Sequence, residues 1–176
     1  MSIRIGHKAS SESAMSLLQG CHTNIRRFLA TTRALASDKA ATPEDVAGTA
    51  LSVSRYFREG LPLHVADEEQ SLAPRLRGVA PAGALIVRLL SDHASHPALL
   101  GQVVDLCDEL ASAPERRVNI APRLGSAAAD LSQSLESHLA WEEAELFPLL
   151  PRLTPDDHVA ILGEMRRRRG HAAVWP

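Results

Sequence analysis

His138–Leu150 reads HLAWEEAELFPLL, and His64–Leu76 reads HVADEEQSLAPRL. Both spell H-x-x-x-E-E, followed at matching offsets by Leu, Pro and Leu. The second copy starts 74 residues after the first. That period is too long for a solenoid unit and fits one helical hairpin. Each stretch is helix-forming and largely apolar, yet each sets a histidine and a glutamate four residues apart. On a helix those positions lie one above the other on one face. An imidazole and a carboxylate then aim at the same point.

Apolar periodicity extends outward from these two stretches. A first segment from about Ser11 to Ser37 carries Leu18, His22, Ile25, Leu29 and Thr32 or Leu35 on one face. A second runs from about Pro43 to Arg77, with Thr42 as N-cap and Ala50, Val53, Phe57, Leu61, His64, Glu68 and Leu72 inward. Gly60 and Pro62 predict a kink or short break one turn before His64. The third runs from about Ala82 to Ser112, with Ile86, His93 and Val104 inward and a bend expected at Pro97. The stretch SAPERRVNIAP reads as a connection to a fourth segment, about Pro122 to Leu149. Leu124, Ala128, Leu131, Leu135, His138, Glu142 and Leu146 face inward there. A short fifth helix covers about 155–169, with Thr154 as N-cap, Pro155 at the first helical position and two aspartates completing the first turn.

Alanine and leucine abound, while aromatic residues make up 3% of the 176 residues. That composition favours helix over sheet. Four long helices joined by short connections predict an all-α fold, an antiparallel up-down-up-down four-helix bundle. The fifth helix packs outside it or at one end. The length suits a single domain over 1–176, with the bundle at about 11–152. A net charge of −2 gives no field that would favour nucleic acid or a membrane surface. No apolar run is long enough to span a bilayer, and MSIRIGHKAS has no apolar signal core. Cys21 and Cys107 are the only cysteines and form no C-x-x-C. A soluble, cytoplasmic protein in a reducing compartment is expected.

Each bundle segment places a histidine on its apolar face: His22, His64, His93 and His138. Glu68 and Glu142 join two of them. Any one of these histidines could be an ordinary core residue with its hydrogen bonds met. The full set is harder to explain that way. Two inward carboxylates lose their hydration and demand a cation, and the inward faces offer no Lys or Arg near the histidines. A metal supplies the missing charge. Mixed nitrogen and oxygen donors without thiolate fit Fe, Mn or Zn. Six donors exceed one tetrahedral zinc and suit two ions about 3.5–4 Å apart. His22 and His64 are assigned to one ion, His93 and His138 to the other. Glu68 and Glu142 bridge them, with room for a shared oxo or hydroxo group. Each ion then keeps an open position for a small ligand.

The order His, His-x-x-x-Glu, His, His-x-x-x-Glu, one block per helix, resembles the hemerythrin-like (HHE cation-binding) domain. The resemblance spans about Ser11 to Arg152. It rests chiefly on LPLHVADEEQSLAPRL and LESHLAWEEAELFPLL. It implies a four-helix bundle around a non-haem di-iron centre that meets O₂, NO or peroxide. Oxygen-carrying members use five histidines, two of them four apart on the third helix, and an aspartate on the fourth. Here the third helix offers His93 and His96, three apart and followed by Pro97, and the fourth offers Glu142. The pattern is closer to bacterial hemerythrin-like proteins and to the di-iron proteins of iron–sulfur repair. The cysteine-bearing N-terminal extension of many repair proteins has no counterpart here. His96 is the candidate fifth histidine ligand: bound, it would saturate one ion, and unbound it would leave both open.

The expected function is binding or sensing of O₂ or NO, or handling of iron and of oxidative or nitrosative stress. A gas- or metal-binding protein is favoured over a dedicated enzyme. The alternatives are an enzyme acting on peroxide or in iron–sulfur repair, and a metal-regulated interaction module. Glu69 and Glu143 read as solvated residues or as partners holding ligand histidines in place, and Asp67 and Asp92 are further candidates for that role. Cys21 reads as a packed thiol, Trp141 and Phe147 as packing residues, and Tyr56 as a core residue two turns before His64. His7, His158 and His171 read as surface residues. Arg166–Arg169 reads as a solvated run favouring the helix dipole.

Overall fold

The computed structural model describes residues 13–170; His7, Ser11, Glu12 and His171 lie outside them. Every regular element among the described residues is helical. Helix α1 spans Ala14–Ser37, with Ser13 and Ser16 exchanging capping hydrogen bonds at its start. The second segment is continuous from Pro43, and Thr42 accepts the Asp45 backbone N–H at its N-terminus. It comprises α2 (Pro43–Arg55), α3 (Leu61–Ala66) and α4 (Ala73–Leu76), joined by π-helical turns at Tyr56–Gly60 and Asp67–Leu72. Helix α5 covers Ala82–Ser112. Helix α6 covers Arg117–Trp141 and continues as a π turn at Glu142–Leu146 and a 3₁₀ stretch at Phe147–Arg152. Helix α7 covers Pro155–Gly170, capped by Thr154.

The π turns explain what happens at the expected kink. Each ends two residues before a proline: Gly60 before Pro62, Leu72 before Pro74, Leu146 before Pro148. The residue just before each proline donates five positions back: Leu61 to Tyr56, Ala73 to Glu68, Phe147 to Glu142. Proline lacks a donor and its ring crowds the carbonyl four residues back. One widened turn opens that space and lets the helix run on. The repeated Leu-x-Pro is thus the signature of a π turn beginning next to, or at, each inward glutamate. Pro97 behaves differently, since α5 runs unbroken through it.

Residue pairs across each seam run in opposite chain order. His22 meets His64, and Phe28 stacks on Tyr56. Ser54 bonds Asp108, and Glu69 bonds His93. Asp92 bonds His138, and Glu109 pairs with Arg116. Arg117 donates to the Leu35 carbonyl, and Arg26 pairs with Glu136. The four long segments form a closed helical bundle. One boundary differs from the sequence reading: α6 begins at Arg117, not near Pro122. The Pro114–Arg116 turn makes the reversal by itself. Pro122 falls near enough to the start that little of the helix ladder is lost.

The apolar side chains form two separate clusters. One holds Ile25, Leu29, Val53, Phe57, Leu61, Leu131, Leu135 and Leu139. The other holds Leu18, Leu72, Leu76, Leu89, Trp141, Leu146, Leu150 and Met165. Three segments cross from one cluster to the other at a histidine, His22 between Leu18 and Ile25, His64 between Leu61 and Leu72, and His93 between Leu89 and Val103, and the fourth crosses just after His138, between Leu139 and Trp141. A polar layer is therefore enclosed between two apolar cores. Leu29 is wholly buried in the first. Leu29→Ala is expected to lower unfolding free energy by about 2–5 kcal/mol. Urea denaturation measures this, and a loss under about 1 kcal/mol would mean that the core readily collapses around the gap.

Candidate metal centre

Between the two cores, His22, His64, His93, His138, Glu68 and Glu142 are all buried, and both glutamates have no solvent exposure. Donor atoms fall into two groups. His22, His64, Glu68 and Glu142 form one, and His93, His138, Glu68 and Glu142 form the other. Within each, the potential ligand atoms lie within 4.8 Å of one another. Glu68 Oε2 lies 3.5 Å from His64 Nε2 and 3.3 Å from His93 Nε2. Glu142 lies 3.3 Å from His22 Nε2 through one oxygen and 3.1 Å from His138 Nε2 through the other. Each carboxylate thus touches one histidine of either group.

The second glutamate of each E-E pair points elsewhere. Glu143 Oε1 is 2.8 Å from His22 Nδ1, and Glu69 Oε1 is 2.9 Å from His93 Nδ1. Each reaches across a seam to the histidine of a neighbouring segment. This explains the doubled glutamate: the first enters the centre and the second holds the next helix's imidazole. Asp92 Oδ2 takes the same position 3.2 Å from His138 Nδ1. An ionised carboxylate only accepts, so Nδ1 carries the proton and Nε2 keeps a lone pair toward the centre. His64 has no such partner for Nδ1.

These backing groups are themselves anchored. Arg26 bonds both oxygens of Glu143, at 2.8 and 3.1 Å. Arg88 lies 3.7 Å from Asp92 and stacks over the Trp141 ring. Trp141 in turn stacks beside His138, and Phe147 stacks on His22 with centroids 4.9 Å apart. Asp67 is buried and backs no histidine. It receives Arg168 at 2.8 Å, and also Arg169, from α7. Arg168 further donates to Ser71 Oγ, and Arg169 contacts Cys21 Sγ at 3.2 Å. The expectation of a wholly solvated arginine run is corrected at these two positions. A buried carboxylate needs cationic donors, and the end of α7 supplies them.

Electrostatics show what the centre lacks. Burial, and Glu142 beside it, push the Glu68 carboxyl well above the usual carboxylate range. Burial also opposes ionisation of Glu142, but the His138 and His22 imidazoles beside it outweigh that and hold this carboxyl low. Burial pushes His64 down to about 3. Burial likewise lowers His93, against the pull of Glu69. His138 is raised, because Glu142 and Asp92 outweigh its burial. Both oxygens of Glu68 and of Glu142, His22 Nε2 and both His64 ring nitrogens are buried without hydrogen-bond partners. Unmet buried polar atoms are rare in folded proteins. Here, His64 Nδ1 apart, they belong to residues of the two donor groups, and nitrogen and carboxylate donors together are those a divalent or trivalent cation would satisfy.

His96 is buried but belongs to neither donor group. Its ring centroid lies 4.9 Å from that of His138 and 6.2 Å from that of His93. Burial lowers it to about 4. Cys107 lies in the apolar core, where burial pushes its thiol up to about 12. Tyr56 stacks on Phe28, away from the centre. His158 is half-buried on α7 and outside both groups. A cavity of about 290 Å³ adjoins the centre, walled by carbon and by His64, His93, His96 and His138.

A closed helical bundle with a buried histidine–carboxylate layer at its middle defines a cation-binding bundle protein. The chain belongs to the Hemerythrin HHE cation binding domain family, which it matches over residues 13–150. No curated protein and no solved structure matches it. The family match stops short of α7, so the arginines that clasp Asp67 lie beyond the matched region. No helix among the described residues is long and apolar enough to cross a membrane.

Proposed function

We propose that His22, His64, His93, His138, Glu68 and Glu142 hold two iron ions, and that the protein binds or senses O₂ or NO. The observation that carries this reading is the meeting of four buried histidines and two buried glutamates in two overlapping donor groups that share both glutamates, whose carboxylate oxygens have no hydrogen-bond partner. Two ions would satisfy both groups and let both carboxylates ionise side by side. Bound iron would supply a redox-active Lewis acid able to take a small ligand. The surrounding chain fixes the tautomers of His22, His93 and His138 through Glu143, Glu69 and Asp92. It also excludes bulk water with an apolar core on either side. The cavity beside His64, His93 and His138 offers a small molecule a way in. We read the whole chain as one cytoplasmic domain.

The test is direct. Iron-loaded protein should carry about two ions per chain and change its visible spectrum reversibly on adding and removing NO or O₂. Sustained turnover of peroxide would instead favour the enzymatic alternative. A single zinc, or no metal, would overturn the assignment. Within this reading, Glu143→Ala and Glu69→Ala are each expected to weaken metal binding about 10- to 100-fold. Competition against a chelator measures this, and unchanged affinity would deny both glutamates the role of holding an imidazole.

A further inference from the structure

The cavity beside the centre is too large for a diatomic gas. Its volume is about 290 Å³. A water molecule occupies about 30 Å³ of liquid, and a dry cavity of about 150 Å³ is enough to bind benzene. Even two ion-sized spaces of about 30 Å³ each would leave room for a substituted ring. The walls are chiefly apolar, with Ile25, Phe57, Leu61, Leu135 and Leu139 contributing. Gln70 and Pro97, both exposed, and Leu100, half-buried, also line it, so it opens between the second segment and α5.

Besides the unpartnered His64 Nδ1, one buried polar group in its wall stands outside both donor groups. His96 is 5% exposed, belongs to neither donor group, and makes only ring contacts with His93 and His138 among the described residues. A neutral imidazole can donate one hydrogen bond and accept one. A chiefly apolar chamber lined by a few polar groups is the form of a small-molecule site. We propose that this cavity binds a ring-sized apolar organic molecule bearing one hydroxyl or carbonyl group, hydrogen-bonded to His96. The ligand would lie beside the centre proposed above, and it rests on that reading only for what it meets there.

Phenol and toluene are suitable probes, differing by the one hydroxyl. Calorimetric titration of the full chain, iron-loaded and chelator-stripped, should show saturable binding of one phenol per chain in at least one form, and weaker binding of toluene. Leu100→Trp and Ala66→Phe fill the chamber from two sides. Each should weaken phenol at least tenfold while leaving metal content unchanged. His96→Leu should abolish the preference for phenol over toluene while keeping toluene binding. Absence of saturable phenol binding in both wild-type forms would overturn the proposal, as would full phenol affinity in both filled variants. Metal content is read separately. Phenol binding without metal would sink the iron reading and spare the cavity, and metal without phenol would do the reverse.

Discussion

Glu68→Gln is expected to abolish high-affinity metal binding, from about two ions per chain to fewer than one. Glu68 lies against His64 on one side and His93 on the other, so its loss strikes both donor groups at once. Glutamine preserves the volume and removes the negative charge. The metal-free protein should respond in the opposite sense. There Glu68 is a buried carboxyl without a hydrogen-bond partner, and its ionisation is opposed by burial and by Glu142. A neutral amide at that place should leave the metal-free fold as stable as the wild type, or more stable by about 1 kcal/mol. Elemental analysis and denaturant titration of both forms measure the pair of effects. A variant that keeps its metal, or a metal-free variant strongly destabilised, would contradict the role given to this residue.

Stripping the metal from wild-type protein should lower Tm by roughly 10 °C. A ligand present at a thousandfold excess over Kd contributes about 4 kcal/mol to the folded state. Each kcal/mol moves Tm by about 2–4 °C in a chain of this size. The loss should be reversed by adding Fe(II) without oxygen. In Glu68→Gln, chelator should leave Tm almost unmoved. Equal melting of stripped and loaded wild type would mean that the donors meet their hydrogen-bonding needs without an ion.

Much of this architecture was legible in the sequence because helix periodicity is a local property. Ala82–Ser112 is bounded as the apolar pattern predicts, and the four histidines and two glutamates of the inward faces meet in one layer. What stayed hidden depends on pairs of segments. Glu69 and Glu143 sit next to inward residues, but which imidazole each holds is decided by the neighbouring helix. Nothing within Arg166–Arg169 marks two of its residues as partners of a buried aspartate across the bundle. A signal for Asp67 did exist: it is an acidic residue one place before a donor, in a stretch whose inward face has no cation. The π turns were legible only in part. Gly60 and Pro62 announced a disturbance before His64, while the outcome, a widened turn and not a break, depends on packing that keeps the helix together on both sides. The early start of α6 was missed because Pro122 looked like a first-turn proline.

The wiring of the centre also bears on the order in which the molecule is built. His22 and Glu143 are 121 positions apart in the chain, and Asp67 and Arg168 are 101 apart. Contacts between such distant residues form only after long loops have closed, at a cost in chain entropy. The apolar clusters on either side can begin from nearer neighbours, such as Leu72 with Ile86 or Leu110 with Ile120. The donor layer is therefore expected to be completed after collapse has brought the four segments together. A bound ion would then act as a keystone set into a standing arch, securing the closed bundle after its assembly.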